Sequence, residues 1–123
     1  MSSYGKKILL VGDSLKVKEF QNELLHEGVG VTLIPDPKRA LTFLADSERP
    51  DGIVFVIPVY WESISEFVEK IKADQHLATI PIIYLGDFIE SNDQVVLKSQ
   101  GVFTLTLGPV PTQEAVRFIL SKI

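Results

Sequence analysis

This sequence predicts a doubly wound α/β sandwich built from five strand–helix units, (βα)5, and three observations predict it. Five short apolar runs alternate with amphipathic stretches along the chain. Each run breaks off within a few residues at Gly, Pro or Asp, the punctuation expected after a strand buried on both faces. The runs recur roughly every 22 to 28 residues, the spacing that a right-handed βαβ crossover needs.

The first run, Ile8-Leu9-Leu10-Val11, ends at Gly12-Asp13. Val17, Phe20 and Leu24 then recur at helical spacing, and Gly28 supplies a C-terminal stop. The second run, Val31-Thr32-Leu33-Ile34, ends at Pro35-Asp36. Asp36-Pro37 reads as an N-cap followed by a first-turn proline, and Ala40, Leu41 and Leu44 form that helix's buried stripe. The third run, Ile53 to Ile57, ends at Pro58-Val59. Ser63-x-x-Glu66 then reads as a capping box over a helix that buries Ile64, Phe67, Val68 and Ile71. The fourth run, Ile80 to Leu85, ends at Gly86-Asp87, and Ser91-x-x-Gln94 caps a helix whose apolar set is Val95, Val96 and Leu97. The fifth run, Val102 to Leu105, is followed by Gly108-Pro109. A last helix begins near Thr112 and carries Ala115, Val116, Ile119, Leu120 and Ile123. The architecture is a flavodoxin-like three-layer sandwich with a parallel sheet in the order 2-1-3-4-5. Residues 1–123 read as one domain, with 1–5 a disordered lead-in.

Composition narrows the function. The 123 residues are 46% hydrophobic and 23% charged, enough for a core without staples. A net charge of −4 with scattered Lys and Arg argues against binding a phosphate backbone. Cysteine is absent, which removes disulfides, thiolate catalysis and Cys-ligated metals. The N-terminal residues are too few and too polar for a signal peptide, and no apolar run approaches the ~18 residues of a membrane span. A cytoplasmic domain with no membrane or nucleic-acid partner is expected.

Ligands and catalysts of open parallel sheets sit outside the carboxyl ends of the strands. Gly12-Asp13-Ser14 follows a strand and opens a helix, but Asp13 would repel an anion, so a bland N-cap is the better reading. His26 falls in the last turn of the first helix and His76 in the polar stretch Asp74-Gln75-His76, so both read as solvated surface. Asp13 and Asp87 both follow strands and could approach one another, the minimum for a hard cation. Asp87 reads better as a turn cap. Asp51 opens the third strand, roughly 15–20 Å away at the other end.

The order of these features resembles the receiver domain of bacterial two-component response regulators (CheY-like). The likeness runs through Lys7 to Ser14, Pro35 to Leu41, Arg49 to Val56, Ile80 to Gly86 and Gly101 to Val110. The resemblance implies an acidic pair, a phosphoacceptor Asp, a hydroxyl residue, a switching aromatic and a Lys-Pro turn. Transferred position by position, that chemistry is missing. The acidic pair falls on Gly12 and Asp13, of which Asp13 alone is acidic. The phosphoacceptor falls on Val56, the hydroxyl on Gly86, the aromatic on Leu105, and the Lys-Pro turn on Gly108-Pro109. The family's chemistry needs a nucleophilic carboxylate, a held Mg²⁺ and an opposing cation. The reading is therefore a degenerate pseudo-receiver, not an enzyme, with no cofactor and no metal.

Its expected role is protein docking without phosphorylation, toward a signalling, motility or polarity protein or a second copy. Two alternatives stand beside it: an atypical phosphoacceptor at Asp13 or Asp87, and a small-ligand sensor using the vacated pocket. Tyr60, Trp61 and Phe88 lie beside that pocket, either as partner anchors or as its plug. The family's usual output face would include Lys98, Phe103, Arg117 and Lys122.

Overall fold

Five parallel five-residue strands form the middle layer, and the order observed is β2-β1-β3-β4-β5. In chain order the elements are β1 (Lys7–Val11), α1 (Leu15–His26), β2 (Gly30–Ile34), α2 (Pro37–Asp46), β3 (Gly52–Val56), α3 (Trp61–Ala73), β4 (Ile82–Gly86), α4 (Ser91–Ser99), β5 (Val102–Thr106) and α5 (Thr112–Lys122). The computed structural model describes residues 5–46, 49–56, 61–86, 91–108 and 110–123, without the side chains of Trp61, Glu62, Ser63, Ser91 and Asp93.

Period-two alternation along the strands divides the core into two layers. Leu9, Val11, Ile53, Phe55, Ile82 and Tyr84 face one side, against Ala40, Leu44, Ile64, Phe67, Val68, Ile71 and Leu97 of α2, α3 and α4. Ile8, Leu10, Val54, Val56, Ile83 and Leu85 face the other, against Val17, Phe20 and Leu24 of α1 and Ala115, Val116 and Ile119 of α5. Phe55 and Phe67 meet edge to face with centroids 5.0 Å apart. No polar or charged residue is buried among the described residues.

Local signals place the helix ends. Gly28 takes φ 78°, and the Glu27 N–H donates to the Glu23 carbonyl, so α1 stops where a left-handed residue is available. The Arg39 N–H donates to Asp36 Oδ1 at 2.8 Å, which is the expected cap ahead of Pro37.

Several expectations are corrected. Burial on both faces holds for β1, β3 and β4, but β2 and β5 are largely exposed because each is an edge with one neighbour. α3 begins at Trp61, so Ser63 lies inside its first turn rather than capping it. Ser91 is likewise the first residue of α4. Three consecutive residues at about 100° per step cannot share a helix face. Accordingly Leu97 alone of Val95, Val96 and Leu97 is buried. β4 starts at Ile82, after Pro81 has given its carbonyl to the Ile53 N–H.

Phe55→Ala removes the side chain that joins β3 to α3. A loss of about 3–5 kcal/mol is expected in urea unfolding. Val95→Ala, at a 66% exposed site, should change stability by less than about 0.5 kcal/mol.

Candidate functional site

The carboxyl edge of the sheet brings together the ends of β1, β3, β4 and β5. Gly12 is buried there, and its N–H donates to the Ile34 carbonyl at 2.9 Å. Its φ of 154° favours glycine, and a Cβ on it would lie 2.7 Å from the Val56 carbonyl oxygen and 2.8 Å from Val17 Cγ2. Even one methyl group would have to push apart the backbones of β1 and β3. A carboxylate has no room at position 12.

Val56 is fully buried, in the same apolar cluster as Val17, Leu85 and Leu107, with Leu105 half-buried beside them. The Leu107 N–H donates to the Gly86 carbonyl at 2.7 Å, which draws the segment after β5 over the end of β4. Gly108 takes φ 38° with open space around it. Among the described residues the centre of the edge is thus filled by aliphatic side chains.

Among the described residues, charge at this edge is peripheral. Asp13 is exposed. Asp36, at the end of β2, is engaged by the Arg39 N–H and guanidinium, the latter at 3.4 Å. No group of His, Asp and Glu that could hold a metal exists among the described residues. Because Gly12 admits no side chain and Val56 offers only methyl groups, these residues do not fit a Mg²⁺ ion, which wants several oxygens in an octahedron. Asp87, Phe88, Tyr60 and Pro109 lie outside the described residues, as does the Trp61 side chain.

The remaining polar candidates sit elsewhere. Asp51 is at the amino end, where its Oδ2 accepts from the Lys7 N–H at 2.8 Å. His76 is exposed nearby; its N–H donates to Asp74 Oδ1 and its carbonyl accepts from Arg49 Nε. His26 is exposed at the end of α1.

Two of the open clefts bear on recognition. One of about 320 Å³ beside the carboxyl edge is lined by Gly12, Asp13, Val17, Lys18, Leu33 and Pro35. The other, about 460 Å³, lies between α4, β5 and α5, lined by Lys98, Phe103, Phe118 and Lys122 among others. Phe103 is 40% exposed, and Lys122 Nζ stands 4.9 Å from its ring centroid and 5.4 Å from that of Phe118. Sequence reasoning named Phe103 and Lys122 but missed Phe118, although its i, i+4 spacing to Lys122 was a usable signal.

This architecture is the CheY-like fold of response regulator receiver domains. Three of the matching solved structures illustrate the likeness. The chemotaxis response regulator CheY4 of Vibrio cholerae matches with a TM-score of 0.81 at 19% identity, over 96% of this chain and 98% of that one. The phosphorylated cyanobacterial phytochrome response regulator RcpA matches at 0.78 and 23%, over 94% and 89%. The receiver domain of the Pseudomonas aeruginosa sensor histidine kinase PA1611, with magnesium coordinated in its active-site cleft, matches at 0.74 and 24%, over 96% and 97%. At such identities the likeness establishes the fold. No protein-family model and no curated protein matches the chain.

Restoring a carboxylate at position 56 should damage the fold rather than create a site. Val56→Asp buries a carboxyl among methyl groups, which raises its pKa above the ordinary value of about 4. The folded form then holds its proton more tightly than the unfolded chain, so stability falls as pH rises through the unfolded pKa. Urea midpoints should show a larger penalty at pH 7 than at pH 4.

Proposed function

We propose that this chain is a receiver-fold signalling module that acts by docking a protein partner, independently of phosphorylation. The observation that carries the reading is the closed contact at the carboxyl edge, where Gly12 abuts the Val56 carbonyl and Val56 is fully buried. A phosphoryl acceptor has to be reachable by its donor and flanked by a cation. Position 56 is neither nucleophilic nor reachable, and Gly108 supplies no cation at the position that the receiver pattern gives to lysine. Leu105, at the position of the switching aromatic, is half-buried in the core and has no polar group to exchange between two rotamers.

Docking then falls to a preformed surface. On the face made by α4, β5 and α5, Phe103 is exposed and shares a cleft with Phe118, Lys98 and Lys122, and Val95 and Val96 of α4 are exposed as well. An apolar centre with an aromatic anchor and a charged rim is the anatomy of a protein interface. The rim is cationic on a chain of net charge −4, so it favours a partner segment that presents acids around apolar side chains. The module itself catalyses nothing. We place it in the cytoplasm, where two-component signalling proteins work. No described helix is long and apolar enough to cross a membrane.

Incubation with acetyl phosphate and Mg²⁺ should leave the intact mass unchanged. A gain of one phosphoryl group, mapped to Asp13 or Asp87, would overturn the reading in favour of an atypical acceptor. Once the partner is recovered from the native cell, Phe103→Glu should weaken its binding by about 30-fold or more, the effect of a hot-spot loss of about 2 kcal/mol. Asp13→Asn should leave that binding unaltered.

A further inference from the structure

We propose that Gly52 and Lys6, at the amino end of the sheet, are positioning residues for the docking face on α4, β5 and α5. They seat the end of α5 and thereby hold the Lys122 ammonium over Phe103, so that the cleft offered to an acidic partner is preformed. The inference rests on the docking reading above and names what keeps that site in shape.

Gly52 opens β3 and is buried, on the strand face that Val54 and Val56 turn toward α1 and α5. Its φ is not positive, so the backbone there suits any residue. Size alone calls for glycine. A Cβ would lie 2.6 Å from Ile123 Cγ2, whereas the next atoms, Ile123 Cβ and the Pro81 carbonyl oxygen, stand at 3.8 and 3.9 Å. Glycine inside a strand marks such a close approach. Ile123 follows Ile119 by one helical turn and extends the buried stripe of Ala115, Val116 and Ile119. Its methyl group fills the notch that Gly52 leaves.

Lys6 is the second hold. It stands two residues ahead of Ile8, and from a half-buried position its Nζ donates to the Ile123 carbonyl oxygen at 3.1 Å. A carbonyl at the end of a helix has no donor within the helix, and a charged donor makes the stronger bond. The Lys6 carbonyl in turn accepts from the Gly30 N–H at 2.8 Å, which fixes this lysine's backbone beside β2. The end of α5 is therefore held by a hydrogen bond from the approach to β1 and by a steric fit at β3.

Lys122 immediately precedes this seat. Its Nζ is 4.9 Å from the ring centroid of Phe103, on β5, and 5.4 Å from that of Phe118, on α5 itself. A ring face attracts a cation out to about 6 Å. A Cβ at position 52 would have to push Ile123 back by about 1 Å to regain an ordinary carbon–carbon contact. That displacement exhausts the remaining range toward Phe103, which belongs to the sheet. It leaves the distance to Phe118 unchanged, because Phe118 and Lys122 travel together on α5. Gly52 and Phe103 are two strands apart in the sheet, so the coupling runs through α5.

Nuclear Overhauser contacts from the Lys122 ε-protons, measured on the ¹³C-labelled full chain, test this. Contacts to both the Phe103 and the Phe118 rings are expected in the wild type. Gly52→Ala should lose the Phe103 contact and keep the Phe118 contact, whereas simple unfolding would lose both. Gly52→Ala combined with Ile123→Ala should restore the Phe103 contact, because the added methyl then meets only the Cβ of residue 123, at 3.8 Å. Lys6→Met keeps the apolar stem and removes the donor; it should weaken the Phe103 contact alone, and it decides the matter if Gly52→Ala fails to fold. A wild-type chain without the Phe103 contact, a Phe103 contact undiminished in Gly52→Ala or in Lys6→Met, or a loss that the double variant does not restore would each overturn the proposal. These outcomes are read without a partner. Partner binding untouched by Phe103→Glu would instead remove the docking reading and leave the seat of α5 in place.

Discussion

One carbon atom does not fit between the end of β1 and the end of β3. At Gly12 the chain passes so close to the Val56 carbonyl and the Val17 methyl that any L side chain would force two central strands apart. Those strands are among the most buried in the molecule, and Val17 anchors α1 to them. The contact therefore ties the first helix and the two innermost strands together at the edge where an open α/β sheet ordinarily keeps its ligands. An active receiver pocket gathers like-charged carboxylates, which costs stability until a cation relieves it. At this edge Val56, Leu85 and Leu107 are aliphatic side chains stabilised by burial.

Apart from the cleft beside Gly12 and Asp13, the surface for recognition among the described residues is lateral. The exposed large apolar side chains among the described residues are Leu15 and Leu25 of α1, Leu33 of β2, Val95 and Val96 of α4 and Phe103 of β5. Of these, Phe103 lines the cleft between α4, β5 and α5, together with Phe118, Lys98 and Lys122.

Much of this was legible in the sequence, and the limits have physical causes. Continuous apolar runs announced β1, β3 and β4 because those strands are covered on both faces and every side chain along them reports burial. The same pattern located β2 and β5 but overstated their burial, since each is an edge strand with one neighbour. In α4 the triplet Val95-Val96-Leu97 suggested a buried face that helical geometry forbids. Gly12, Val56, Gly86, Leu105 and Gly108 could be read as positions without chemistry. The reason that Gly12 must be glycine could not, because it depends on a backbone oxygen supplied by a distant strand. The cationic cover over Phe103 was similarly hidden until α5 was packed against β5.

The central claim is that the carboxyl edge is closed to a phosphoryl group and to the metal that would accompany it. Amide chemical shifts of the ¹⁵N-labelled chain, followed while Mg²⁺ and then beryllofluoride are added, address it residue by residue. The closed edge predicts that Gly12, Asp13, Val56, Gly86 and Leu105 keep their shifts throughout. A saturable displacement centred on those amides would show an open, occupied pocket and contradict the account.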